Sequence, residues 1–269
     1  MRYLLRQIPR LLTVGTPFII FGIIYFMLGL WPNYMFNDID VRGVYGLEKQ
    51  LFGITTATGM VTPCEYFCIN HHAVMDIFSG LFYLLWIPSP VIYALILQLT
   101  GHSKVAIHLS SAFLIANLIG FIGYYIYPAA PPWYVMQHGF EPILGTPGNV
   151  AGFQNFDELT GIPIFANIYN KNANVFAAIP SLHAAYNVVA FLYAIKVPTH
   201  RWWQGFIGIV AVGIWFSAVY SGHHYIIDVL LGILTAVAGV WVFEKLLMRI
   251  SPVARLYDKV IGYLEKVKY

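Results

Sequence analysis

The chain has 269 residues, 59% of them hydrophobic and only 10% charged, with a mean hydropathy of +0.67. A soluble domain carries about 25% charged residues, so this composition excludes an ordinary soluble globule and points to an integral membrane protein. The net charge is only +3 and no basic run occurs, which argues against a nucleic-acid partner.

A membrane span needs roughly 20 apolar residues. The N-terminal apolar stretch follows arginines but lacks a small-residue cleavage site, so it reads as a retained span over Leu12–Trp31. A long polar-containing segment runs from about Pro32 to Asp76. Within it, the Tyr45–Phe52 stretch predicts a surface helix that carries Glu48, to which no role attaches. Cys64 and Cys68, four residues apart, fall on one helix face, a poor disulfide geometry. Ile77–Gly101 predicts the second span, with Pro88 and Pro90 implying a kink or a break. Val105–Tyr127 predicts the third and carries only His108. A second long segment, about Pro128 to Ile179, overlaps the stretch Ala173–Ile195, which contains the fourth span. Pro180 is its expected first helical residue. Trp202–Ser221 predicts the fifth and Tyr225–Leu247 the sixth.

The predicted fold is therefore all-α: a polytopic membrane protein with six transmembrane helices and one membrane-embedded domain over residues 1–269. Nineteen Tyr, nineteen Phe and seven Trp suit a protein with many interface anchors. If the N-terminus is cytoplasmic, twelve of the fifteen Lys and Arg lie inside and only Arg42, Lys49 and Lys171 outside. The positive-inside rule then puts both termini in the cytoplasm and the segments 32–76 and 128–179 on the extracytoplasmic side, whether periplasm, exterior or lumen.

That orientation gathers four clusters on the outer face. His71, His72 and Asp76 open the second span; Tyr127-Pro128-Ala129-Ala130-Pro131-Pro132-Trp133-Tyr134 ends the third. Pro180-Ser181-Leu182-His183 opens the fourth, and Ser221-Gly222-His223-His224-Tyr225-Ile226-Ile227-Asp228 leads into the sixth. Ionisable groups at membrane depth are costly and are retained for function. Asp228 lies four residues after His224, on the same helix face. A carboxylate on one imidazole nitrogen fixes the tautomer and frees the other as a nucleophile towards phosphorus. His183 is the candidate acid and base for the departing and incoming oxygens. The helix N-terminus after Pro180, with the Ser181 hydroxyl, is a candidate phosphate cradle. His223 is either a phosphate donor or a neighbour. His72 and Asp76, again four apart, either hold a head group or pin the outer segments. Trp133 and Tyr134 are interface anchors or stacking surfaces for lipid. Lys171 is a further candidate for the phosphate charge. The ring of Cys64, Cys68, His71 and His72 matches no zinc spacing, and histidine chemistry requires neither metal nor cofactor. His102, His108 and His200 fall at or near the inner side and read as structural.

Pro-Ser-Leu-His followed by His-x-x-x-Asp on the last span resembles the type 2 phosphatidic acid phosphatase superfamily. Tyr-Pro-x-Ala-Pro-Pro-Trp-Tyr and His-His-Tyr-x-x-Asp are similar to its branch of inositol phosphorylceramide synthases and their bacterial relatives. The likeness covers about Glu48 to Gly232. It implies six spans, no metal and a histidine nucleophile, with His183, His224 and Asp228 at the catalytic positions. It further implies a phosphotransferase that moves inositol phosphate from a phosphatidylinositol-like donor to a ceramide-like lipid alcohol through a phosphohistidine. Two features depart from the phosphatase pattern: the chain has no Arg-Pro dipeptide, and Ser217-Ala218 stands where the phosphatases have Ser-Arg. The alternatives are a lipid phosphatase with water as acceptor, or a lipid-binding or transport membrane protein. A transporter more often shows repeats or broken helices at the midplane, whereas these polar clusters share one face.

Overall fold

Charge-free apolar runs fold as helices in lipid because each backbone N–H and C=O must be satisfied within its own segment. The computed structural model describes residues 2–169 and 174–266. In chain order its elements are α1 (Arg2–Leu28), α2 (Gly43–Phe52), the hairpin β1 (Ile54–Thr56) and β2 (Gly59–Val61), α3 (Pro63–Ile69), α4 (Ala73–Tyr83), α5 (Pro88–Leu99), α6 (Ser103–Ile126), α7 (Pro132–His138), α8 (Gln154–Thr160), α9 (Ile164–Tyr169), α10 (Leu182–Ala194), α11 (Arg201–Tyr220), α12 (Ile226–Trp241) and α13 (Ser251–Glu265).

Among the described residues four helical stretches are long and apolar enough to cross a membrane: Gln7–Leu28, Ser103–Ile126, Arg201–Tyr220 and Ile226–Arg249, the last of which continues α12. The Pro88–Pro90 region breaks the second predicted span, leaving α4 and α5 as a pair bent by 44°. Exposed Leu12, Ile19, Ile23 and Phe26 line the outside of α1, as befits an integral membrane protein whose perimeter faces hydrocarbon.

Helix α10 has 13 residues, about 20 Å at 1.5 Å per residue, and ten of them are buried. It packs against α5, α6, α11 and α12 and is the central strut. Pro180 is not its first residue. The helix begins at Leu182 with Ser181 as cap, because the Ser181 oxygen accepts the Ala184 N–H at 3.4 Å and takes over the capping position.

Polar side chains knit the interior where lipid offers no partner. The Tyr186 hydroxyl donates to Asn117 at 2.7 Å, and the Ser89 hydroxyl donates to Asn187. Near the opposite end of α10, Glu244 gathers His108 at 3.2 Å, the Tyr193 hydroxyl at 2.8 Å and the Lys196 ammonium at 3.0 Å. The His102 and His200 rings meet at 4.8 Å. Helix α13 lies against α6, its Tyr257 hydroxyl donating to Ser111 at 2.7 Å.

The two long segments form a roof of short helices over the end of the bundle where α10 and α12 begin. They are stitched by extended strands: Asp40 N–H donates to Pro128 at 2.8 Å, Ala130 N–H to Asp40 at 2.9 Å and Ala129 N–H to Phe176 at 2.9 Å. Asp157 accepts the N–H groups of Phe165 and Ala166 at 3.0 and 2.8 Å, fixing α9 to α8.

Candidate active site

Two backbone devices bring the histidines together. The first joins the starts of α10 and α12: Ser181 N–H donates to the Asp228 carbonyl at 3.0 Å. Only glycine permits this approach at position 232, since a Cβ there would stand 2.1 Å from the Ser181 carbonyl oxygen. The second is the turn between α11 and α12. Gly222 takes φ +74°, and the N–H groups of His223 and His224 both donate to the Ala218 carbonyl at 3.0 Å. Trp133 N–H donates to Gly222 at 2.9 Å and Gly152 N–H to Ser221 at 2.8 Å, so the roof holds the turn from above.

Within this frame, His183 Nδ1 lies 3.2 Å from His224 Nε2. The other nitrogen of His224, Nδ1, lies 3.5 Å from the Asp228 carboxylate, which also accepts the Tyr225 N–H at 2.9 Å. The His183 ring sits between Tyr83 at 4.9 Å and Trp86 at 4.2 Å. His223 packs on Tyr169 at 4.3 Å and Phe153 at 5.0 Å, with Nδ1 3.1 Å from the Ser221 hydroxyl. Burial, and then His224, push the His223 imidazole down to about 3, so it is neutral at physiological pH.

A cavity of about 300 Å³ holds the site. His183, His223, His224, Trp133 and Asn149 line it, as do Tyr25, Phe26 and Leu28 from the end of α1 and Leu30 just beyond it. No Lys or Arg among the described residues lines it.

The remaining sequence candidates divide. Ser181 is fully buried as the α10 cap and does not line the cavity. Trp133 reaches the cavity, whereas the Tyr134 hydroxyl accepts the Ile143 N–H at 2.6 Å and donates to the Glu141 carbonyl at 2.9 Å, bracing the roof. His72 does not pair with Asp76. It caps α4 by accepting the Val74 N–H at 3.2 Å, and the preceding His71 takes the carboxylate at 3.1 Å. The cap requires an extended His72 backbone, which turns its ring away from the helix face that carries Asp76. Asp76 also accepts the Tyr220 hydroxyl at 2.9 Å, so this group ties α4 to α11. Lys171 lies outside the described residues. Cys64 is buried, its thiol donating to the His224 carbonyl at 3.4 Å, and Cys68 is exposed.

Sequence reasoning missed the part played by Glu48. It lies on the predicted helix but faces inward, fully buried. Its two oxygens accept the N–H groups of Ile226 at 2.9 Å and Ile227 at 3.2 Å, the opening residues of the helix that carries Asp228. A carboxylate is favoured at a helix N-terminus. Burial pushes the Glu48 carboxyl up, and these two N–H bonds oppose the shift. Its one sequence signal was that it is the one acid in the stretch Tyr45–Phe52.

Comparison with known proteins shows what the chain as a whole is similar to. The PAP2 superfamily profile matches residues 49–242. The chain is 52% identical over 257 residues to phosphoinositol dihydroceramide synthase of Bacteroides thetaiotaomicron, covering 95% of this chain and 84% of the relative. It is 28% identical to inositol phosphorylceramide synthase of Candida albicans, over 82% of this chain and 45% of the relative. It is 29% identical to the inositol phosphorylceramide synthase catalytic subunit of Saccharomyces cerevisiae, over 81% of this chain and 53% of the relative. The chain thus spans about half the length of these fungal relatives. No solved structure matches it. With the profile spanning most of the chain, and a bacterial relative more than half identical along nearly all of it, the chain belongs to the PAP2 superfamily.

Proposed function

We propose that this protein moves phosphoinositol from a phosphatidylinositol-type donor to a ceramide or dihydroceramide acceptor, through a phosphohistidine on His224. One observation carries the reading: His224 presents Nε2 to His183 at 3.2 Å and Nδ1 to Asp228 at 3.5 Å, inside a cavity that is polar near the rings and apolar towards α1. The names of the relatives supply the inositol and the ceramide.

In the first half-reaction His224 Nε2 attacks phosphorus and the bond to the diacylglycerol oxygen breaks. His183 gives that oxygen its proton, and Asp228 stabilises the positive charge developing on His224. In the second half, neutral His183 takes the proton of the ceramide hydroxyl as its oxygen attacks phosphorus and the P–N bond breaks. His223, whose Nδ1 lies 3.1 Å from the Ser221 hydroxyl, acts as a neutral donor to a phosphate oxygen in the tautomer that carries its proton on Nε2. Trp133 walls the head-group side. Ser181 acts only through the α10 cap, and His72, Asp76 and Tyr134 act only through the roof.

In the membrane, α1, the bent α4–α5 pair, α6, α10, α11 and α12 make six crossings, with both termini cytoplasmic and the site on the extracytoplasmic side. The chain acts as one membrane-embedded unit. Helix α10 is short for a bilayer core of about 30 Å, but it is encircled by other helices, so lipid thickness does not set its length. The charge asymmetry of Lys and Arg sets the orientation.

The absence of Lys and Arg from the described cavity wall favours a phosphodiester, with one negative charge, over a phosphomonoester with nearly two. The test is product analysis with phosphatidylinositol or phosphatidic acid, each with and without ceramide. The expected products are inositol phosphorylceramide and diacylglycerol. Inorganic phosphate released from phosphatidic acid, with no transfer to lipid, would replace this reading with a lipid phosphatase. No turnover of either donor would favour a lipid-binding or transport role.

A further inference from the structure

His183 is open on two sides. Besides the cavity described above, it lines a second, smaller one of about 90 Å³, bounded by Tyr25, Tyr83, Trp86, Phe165, Ile168 and Tyr169. The two share Tyr25, Trp86, Tyr169 and His183. The larger is bordered by Phe26 and Leu30, 77% and 63% exposed, and the smaller by Ile168 of the roof helix α9, 41% exposed. Of these four shared residues Tyr25 is the exposed one, at 47%.

The proposed chemistry constrains what occupies them. The oxygen that leaves and the oxygen that attacks both lie opposite His224 Nε2, within reach of His183. Diacylglycerol and ceramide therefore use one position in turn, and each has two hydrocarbon chains. We propose that Tyr25 is a fork: the reacting head group sits at His183, one chain leaves past Phe26 and Leu30, and the other enters the smaller cavity past Phe165 and Ile168. This inference rests on the phosphotransferase reading and adds to it a specificity site for two-chain lipids. A single-chain alcohol fills only one arm and forfeits the apolar burial in the other, at about 0.8 kcal/mol per methylene.

In a double-displacement reaction, kcat/KM for the acceptor reports only its capture by the phosphorylated enzyme, so donor binding drops out of the comparison. The test measures this quantity for two ceramides with the same reactive hydroxyl, one with a long N-acyl chain and one with a two-carbon N-acyl chain. The protein as it stands should prefer the long chain by on the order of tenfold, the factor that two buried methylenes supply. Ile168→Trp, which fills the smaller mouth from an exposed position, should erase the preference by lowering only the long-chain value. Ile168→Ala, which widens the mouth, should keep it. A preference that survives Ile168→Trp, equal losses with both ceramides, or no preference at the outset would overturn the fork. Only the absence of transfer to any ceramide would reject the phosphotransferase reading itself.

Discussion

His183 Nδ1 and His224 Nε2 lie 3.2 Å apart, although the two residues are 41 positions apart in the chain. In the proposed mechanism that spacing lets one nitrogen attack a phosphorus atom while the other serves the oxygen on its far side, once the phosphate parts the rings. The arrangement predicts that His224→Ala abolishes transfer while the protein still inserts and folds. Asp228→Asn should retain a trace, with kcat down by as much as about 10⁴, the loss seen when a histidine loses its orienting carboxylate. Turnover assays on the purified variants, with a melting curve for each, check both. Near-normal turnover in His224→Ala would require a different nucleophile.

Glu48 reaches α12 from a helix nearly 180 residues earlier in the chain and holds the two N–H groups that precede Asp228. Glu48→Gln keeps the shape but leaves an amide NH₂ facing one of those donors. Orphaning a buried N–H costs about 1–3 kcal/mol. The expected result is a lower melting temperature and a kcat reduced tenfold or more with KM little changed, since the cavity wall is untouched. A variant that melts earlier but turns over normally would show that Glu48 supports the fold and not the alignment of Asp228.

Gly232→Ala would place a Cβ 2.1 Å from the Ser181 carbonyl. Helices α10 and α12 must then separate at the end where His183 and His224 meet. Overpacking costs typically about 1–3 kcal/mol, and activity should fall further than stability because the ring spacing is lost with it. Unchanged activity and melting temperature would mean that the two helix ends are not in this contact.

The motifs and four of the predicted spans, those formed by α1, α6, α11 and α12, were legible in the sequence because both rest on local pattern. An apolar run of about twenty residues declares a span wherever it occurs, and His224 stands four residues before Asp228, in the turn that leads into α12. Contacts made across the fold were not legible. Glu48 looked like a surface acid because its partners, the N–H groups of Ile226 and Ile227, carry no side-chain signature. His72 and Asp76 had the right spacing, but the N-cap conformation of His72 passes the carboxylate to His71. Pro180 looked like a helix start, yet Ser181 is the better cap and displaces the first turn by two residues.

His223 gives a pH prediction. Burial holds its folded-state value near 3, against an ordinary value of 6.5. Between those limits the unfolded chain binds the extra proton, so its contribution to stability is complete above pH 6.5 and is lost as the pH falls towards 3. The loss is at most about 1.4 kcal/mol per pH unit. His223→Gln removes this group, so its melting temperature should fall less steeply than that of the parent between pH 6.5 and 4. Parallel curves would mean that His223 is not held neutral by burial.

The central claim is that phosphoinositol rests on His224 between donor and acceptor. Purified protein is mixed with phosphatidylinositol and no ceramide, quenched in alkali to preserve a P–N bond, digested and analysed by mass spectrometry. The account predicts inositol phosphate on the peptide that contains His224, lost on adding ceramide before the quench and absent from His224→Ala. An adduct on another residue, or none from a protein that makes inositol phosphorylceramide once ceramide is supplied, would contradict it.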